Sequence, residues 1–323
     1  MITVKTYHYN KTQEWNNFVA NSKNATFLFQ RDFMEYHQDR FDDYSLMIYK
    51  NNKLVSIFPA NRIEGTVISH QGLSYGGLLL LQDVKFETTV TIFQALLQYL
   101  LNNAIPILKI KVLPKIYNSL PSDEIDYLLF KSKAHLYRRD VSMVVDNGNK
   151  LKLSSNRSRN LKKAKNNNVV VKEVLEFDDF FNQILIPNLE KRHNSLPTHS
   201  LKEISELKLN FPNKIRQFNA YQNNEIIAGV TIFESSKVAH AQYISTITSK
   251  NELGGLDAIF DFLINKLYSN KHYFSFGISN ENQGQQVNRG LLNWKESFGA
   301  NAITHDFYTI NTENYRLLDD VML

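Results

Sequence analysis

No cysteine occurs in this chain. That excludes disulfides, thiolate zinc centres and a cysteine nucleophile, and it suits a reducing compartment. Long apolar runs are missing as well. The longest, at residues 105–110 and 227–232, have strand length and fall far short of a bilayer span. No basic region followed by an apolar one opens the sequence, which predicts no secretion signal and a cytoplasmic location. The nine histidines are scattered, none at zinc-ligand spacing, which predicts no metal. A large excess of charge is lacking too. A net +5 suits an anionic cofactor or a phosphorylated substrate better than a dedicated nucleic-acid binder.

What is present is material for two cores. At 323 residues, with 21 Phe and 16 Tyr, the chain exceeds one ordinary core. Residues 12–21 carry Trp15, Phe18 and Val19 at helical spacing, and residues 31–38 read as a second short helix. Apolar runs at 44–49 and 54–60 flank Lys50-Asn51-Asn52-Lys53, a hairpin signal. A loop with Gly72, Gly76 and Gly77 leads to a helix in which Phe93, Leu96, Leu97, Leu100 and Leu101 share one face. A strand at 107–112, a helix at 122–131 and a closing strand at 139–145 follow. The turn cluster Asp146-Asn147-Gly148-Asn149 sets a boundary, giving lobes of residues 1–147 and 148–323.

Beyond it the order recurs. A basic helix covers 155–166, and amphipathic helices cover 178–193 and 201–209. A hairpin of 215–221 and 226–234 turns at Gln222-Asn223-Asn224-Glu225. A strand (238–247), helix (256–268), strand (273–279), helix (287–298) and last strand (303–310) complete it. The recurrence predicts an α/β chain of two lobes, each an α+β mixed and mostly antiparallel sheet flanked by helices.

The segment from 238 to 267 is the richest in chemistry. A strand runs into a loop with Lys250, Asn251, Gly254 and Gly255, which opens into a helix expected to bury Leu256, Ile259, Phe260, Leu263, Ile264 and Leu267. The first amides of a helix lack intrahelical partners, and the macrodipole adds positive character there. Paired glycines admit an anion to the backbone, and Lys250 adds a full charge. A plain turn explains the glycines equally well.

These residues carry a resemblance. The second half resembles the GNAT acyltransferase fold, and the whole chain is similar to the FemAB-like branch with two such lobes. Matching segments are Ile226-Ile227-Ala228-Gly229-Val230, His240-Ala241-Gln242-Tyr243, Gly254-Gly255-Leu256-Asp257 and Phe276-Gly277-Ile278-Ser279-Asn280-Glu281. Gly290-Leu291 followed by Lys295-Glu296-Ser297-Phe298-Gly299-Ala300 is the most specific spacing. The resemblance implies that acetyl-CoA or another acyl-CoA lies along the central strand by Ile244 and Thr246. Its diphosphate would rest near Lys250, Asn251, Gly254, Gly255 and Leu256. The loop departs from the family pattern in carrying Glu252. The first lobe lacks a glycine pair before its long helix, and Asp83 and Glu87 there repel phosphate. It is expected to bind no cofactor and to wall an acceptor cleft.

Acyl transfer to an amine needs positioning, a base and oxyanion donors. Glu281, after a strand at the sheet's carboxyl end, is the leading base, against an exposed loop carboxylate. His240 has a near-neutral ordinary pKa, against a satisfied sheet histidine. With strict alternation His240 shares a face with Gln242, and Ala241 with Tyr243. Tyr243 suits protonation of a leaving thiolate, against a packed strand tyrosine. Arg192 suits an acceptor carboxylate or phosphate; His193 beside it, Asn280 and, in the first lobe, His70 and Tyr75 are candidate substrate contacts, and each also has a plain structural reading. The basic segment Arg157, Arg159, Lys162, Lys163 and Lys165 lacks aromatics for base stacking.

Three functions compete. The first is N-acyl transfer from acyl-CoA to a small-molecule amine, an amino sugar of surface polysaccharide or a nucleotide- or lipid-linked sugar. The second is FemAB-like transfer from aminoacyl-tRNA to a peptidoglycan precursor, weakened by the absence of a sustained heptad run. The third is a binding protein that kept the fold without the chemistry.

Overall fold

The computed structural model describes residues 1–322, the side chain of His193 excepted. The chain forms two compact units. The first comprises Met1–Asp140, Gln283–Gln285 and Thr304–Leu323, and the second Val141–Asn282 and Gln286–Ile303. This division departs from a single boundary at residue 147. The strand His135–Asp146 begins in one unit and ends in the other, and the last strand, Asn301–Asn311, goes back. Pairing explains the return: Phe307 to Asn311 hydrogen-bond antiparallel to Lys111 to Ile107 of the first unit.

In the first unit, Ile2–Thr6, Leu46–Lys50, Lys53–Phe58 and Leu79–Leu80 form an antiparallel sheet. Asn51 and Asn52 both take positive φ, 49° and 64°. That is the turn a tight hairpin demands, and asparagine tolerates it. A second set joins Ile107–Lys111 to Thr66–Ile68 in parallel, with Asn61–Ile63 and Asp42–Asp43 beyond. Helix Phe86–Asn102 buries Phe93, Leu96, Leu97 and Leu100 against these strands.

In the second unit, six strands stand in the order Val170–Val174, Ile215–Gln222, Glu225–Glu234, Val238–Thr246, Tyr273–Ile278 and residues 141–146. All neighbours are antiparallel except Val238–Thr246 and Tyr273–Ile278. The Asn223-Asn224 turn repeats the positive-φ hairpin, at 50° and 63°. On one face, helix Gly255–Phe262 and the π-helical turn Leu263–Leu267 pack Ile259, Phe260, Leu263 and Ile264 against Phe218, Ala220, Val230 and Ile232. Phe177, Phe180, Phe181, Ile184 and Leu185 are buried in the helical segment that follows Val170–Val174. Helix Leu201–Asn210 opens on a capping box of Ser200 and Glu203.

Candidate active site in the second unit

The two parallel strands pair only at their start. Val238, Ala239 and His240 align with Tyr273, Phe274 and Ser275, and there the ladder between them stops. Opposite, on Glu225–Glu234, register shifts between Thr231 and Ile232, so that Tyr243 and Ala241 oppose adjacent residues and Gln242 is bulged. Bulges of this kind re-aim side chains. Strict alternation therefore fails: Ala241 joins the core with Phe260, while Tyr243 meets Phe181 edge-on at 5.6 Å. Tyr273–Ile278 has its own irregularity between Ser275 and Ile278, where Gly277 takes φ +72°. Both strands thus bend at one level, and the central strand's edge beyond His240 has no strand partner on that side.

Three groups converge at the mouth of this wedge. His240 Nδ1 lies 3.1 Å from Ser275 Oγ, and a Cβ on Gly277 would come within 3.2 Å of the imidazole. The Gly277 amide donates to Ser275 Oγ at 3.3 Å. Lys295, from helix Arg289–Glu296, is 2 % exposed and donates to the carbonyls of Gly277 (3.0 Å) and Ile278 (2.6 Å). Burial pulls its pKa down to about 7. Burial, with the Lys295 charge adding, pulls His240 down to about 4. Ser279, at the end of the same strand, is buried and its hydroxyl has no partner.

Lys295 was not among the candidate residues, because lysines on helices are ordinarily solvated. The available signal was its position, three residues after Leu292 and three before Phe298, on the apolar stripe of its helix.

The glycine loop is tightly built. Gly254 takes φ +78°, and a Cβ there would lie 2.6 Å from the Asn160 carbonyl of helix Ser155–Asn166. A Cβ on Gly255 would touch Ile227 and Ala228 at 3.0–3.1 Å. Packing thus requires glycine at 254 and is tight at 255. The Gly254 amide bonds weakly to Asn251 O at 3.4 Å, while among the described residues the amides of Gly255 and Leu256 have no acceptor. Lys250 is ion-paired with Glu225. Asp257 in the first turn is held by Arg157 at 2.9 Å and by Asn160, although burial raises its pKa. The two free amides fit an anion.

The other predicted residues disperse. Glu281 is exposed on the two-residue strand Asn280–Glu281 and accepts from Asn288 Nδ2 at 2.7 Å. Asn280 accepts from the Val141 amide and donates to Gln286 O at 3.3 Å, bracing the local turn. The Tyr243 hydroxyl accepts from the His199 amide at 3.0 Å and lies 2.6 Å from its ring; burial pushes its pKa to about 12. Ile244 packs on the core, and Thr246 donates to Ile227 O at 3.0 Å. Arg192 donates to Thr248 Oγ1 at 2.7 Å, and the side chain of His193 lies outside the described residues. In the first unit, Tyr75 is buried, donating to Thr26 Oγ1 at 3.1 Å. His70 is buried there at φ +54°. Among the described residues no group of His, Asp or Glu side chains could hold a metal ion, and no helix is long and apolar enough to cross a membrane.

No protein-family model matches the chain, and no curated protein is similar to it in sequence. Solved structures do share its fold. FemX superposes with a TM-score of 0.66 at 8 % identity, over 98 % of this chain and 99 % of that one. The C-terminal domain of a putative lysylphosphatidylglycerol synthetase from Agrobacterium fabrum gives 0.61 at 9 %, over 95 % and 93 %. A tandem GNAT protein from the clavulanic acid biosynthesis pathway gives 0.54 at 8 %, over 97 % and 99 %. With the wedge between its parallel strands and the glycine loop beside it, the chain has the tandem GNAT-like, FemAB-like fold.

Proposed function

We propose that the protein is an N-acyltransferase moving an acyl group from acyl-CoA to an amine, with the chemistry in the second unit. The observation that carries this reading is the strand wedge with buried Lys295 at its mouth. The unpaired edge of Val238–Thr246 offers backbone partners to the donor's amides, and the free amides of Gly255 and Leu256 face its diphosphate. The names of the similar structures support a transferase: FemX, a lysylphosphatidylglycerol synthetase and a tandem GNAT protein.

When acyl-CoA is bound, its thioester supplies the electrophilic carbonyl. An incoming amine attacks that carbon, the C–S bond breaks, and the proton on the new ammonium needs a base. Brønsted matching favours a base whose pKa is near ambient pH. Lys295 at about 7 meets that condition; His240 at about 4 does not. A neutral Lys295 amine donates both its protons to the Gly277 and Ile278 carbonyls and keeps a lone pair to accept the ammonium proton. His240, neutral and tied to Ser275, orients the strand ends. Glu281 is the rival base, working through water.

The test is acetyl-CoA consumption with a panel of amino-sugar nucleotides, beside CoA-induced shifts in melting temperature. Turnover and a CoA shift of one equivalent per chain are expected. No shift with CoA, together with binding of aminoacyl-tRNA, would replace the donor; no shift with either would remove the transferase reading.

A further inference from the structure

Residues 147–172 contain eight lysines and arginines and no acid, so the rest of the chain is net acidic. At their centre lies helix Ser155–Asn166, capped by Ser154, whose hydroxyl accepts from the Arg157 amide at 3.3 Å. The helix buries only Ala164 and is tied to its neighbour through Arg157 and Asn160, both bonded to Asp257. Lys152, Arg159, Lys162, Lys163 and Lys165 are exposed, and none forms an ion pair among the described residues.

This arrangement opposes the stability of the helix. Arg159 stands three and four residues from Lys162 and Lys163, and like charges at that spacing repel. Arg157 and Arg159 lie toward the positive end of the macrodipole, where acids are favoured. Lys163 and Lys165, in the last turn, suit the macrodipole, but no acid within the segment relieves the crowding, so the exposed face is complementary to a surface dense in negative charge. Two aliphatic side chains bracket the helix: Leu151 before it is 53 % exposed and Val170 after it 51 %. The segment has no aromatic residue on which a base could stack, and its charge is mostly lysine, a point charge rather than the bidentate fork suited to nucleic acid. Cations that reach headgroups, flanked by exposed aliphatic residues that enter the interface, are the pattern of peripheral membrane contact.

We propose that residues 150–170, centred on the basic helix, dock the second unit onto an anionic lipid surface. The contact is electrostatic in the main, with Leu151 and Val170 adding shallow apolar burial. It is independent of the transfer reaction and holds whichever donor the wedge takes.

The test is co-sedimentation of the full chain with vesicles of phosphatidylglycerol and phosphatidylcholine, against vesicles of phosphatidylcholine alone. Binding to the first only, weakening with added salt, is expected. Each lysine near such a surface contributes about 1 kcal/mol, roughly fivefold in partition. The double substitution K162Q/K163Q, both side chains exposed, should lower partition about 25-fold without lowering the melting temperature. Leu151→Ser should lower it by a smaller factor that salt does not alter. Equal binding to both vesicles, no binding to either, or indifference to K162Q/K163Q overturns the proposal. So does tight binding of polyuridylate that depends on these lysines in a protein that ignores vesicles, which would make the helix an RNA surface.

Discussion

A lysine sealed in a protein without a carboxylate beside it must find another way to be tolerated. Lys295 does so through two carbonyls and a lowered proton affinity. Its proposed role therefore separates by charge. Lys295→Met should lower kcat by about 10²–10⁴. Lys295→Arg keeps the donors but never becomes neutral, and it should be as inactive. In the native protein kcat/KM should rise as pH passes through about 7, because only the deprotonated amine takes the proton. If Lys295 instead stabilised the oxyanion as a cation, the arginine variant would stay active and the limb would fall with pH. Glu281→Gln, at an exposed carboxylate bonded to Asn288, should leave turnover within about twofold; a collapse would hand the base role to Glu281.

At the scale of elements, glycines mark where backbones come too close for a side chain. A Cβ on Gly229 would lie 2.2 Å from the buried ring of Phe180, and Gly254 couples a positive φ to the nearby Asn160 carbonyl. Gly229→Ala should cost about 1–3 kcal/mol through overpacking. Gly254→Ala should cost at least ~2 kcal/mol, since strain adds to the clash. Urea titrations followed by far-ultraviolet circular dichroism measure both; a neutral Gly254→Ala would mean the helices do not meet there.

The hairpins were legible from Asn51-Asn52 and Asn223-Asn224, because two consecutive left-handed residues demand such side chains. The helices were legible from their apolar stripes, and the strand–glycine loop–helix order appeared as read. The bulge at Gln242 was not, since which residue is skipped depends on the partner strand rather than on local sequence. The hold of His199 on Tyr243 and of Glu225 on Lys250 comes from residues far along the chain, so each candidate looked freer in sequence than in the fold.

For the molecule as a whole, acid should weaken both units over the same pH range, the second through His240 at about 4 and the first more strongly. His70 and His305 are both buried in the first unit. Burial, with His37 adding, lowers His70 to about 3; burial, opposed by Asp140, lowers His305 to about 4. A histidine whose folded pKa is depressed binds its proton more readily when unfolded. Its contribution is whole above pH 6.5 and is lost as pH falls from there toward the folded value. At about 1.4 kcal/mol per pH unit, the two together should weaken the unit by about 4 kcal/mol at pH 5. Thermal scans between pH 7 and 4.5 should show the fall, and His305→Gln should flatten it. Curves that superimpose would contradict the account.

The return of the final strand also sets an order of events during synthesis. Ile107–Lys111 acquires its neighbour Phe307 to Asn311 only after everything between has left the ribosome. The unit made first is thus completed last, while the unit made second lacks nothing beyond Ile303. A chain truncated after Ile303 should resist protease across its later half and yield across its earlier one, an inversion of the usual amino-to-carboxyl sequence of folding.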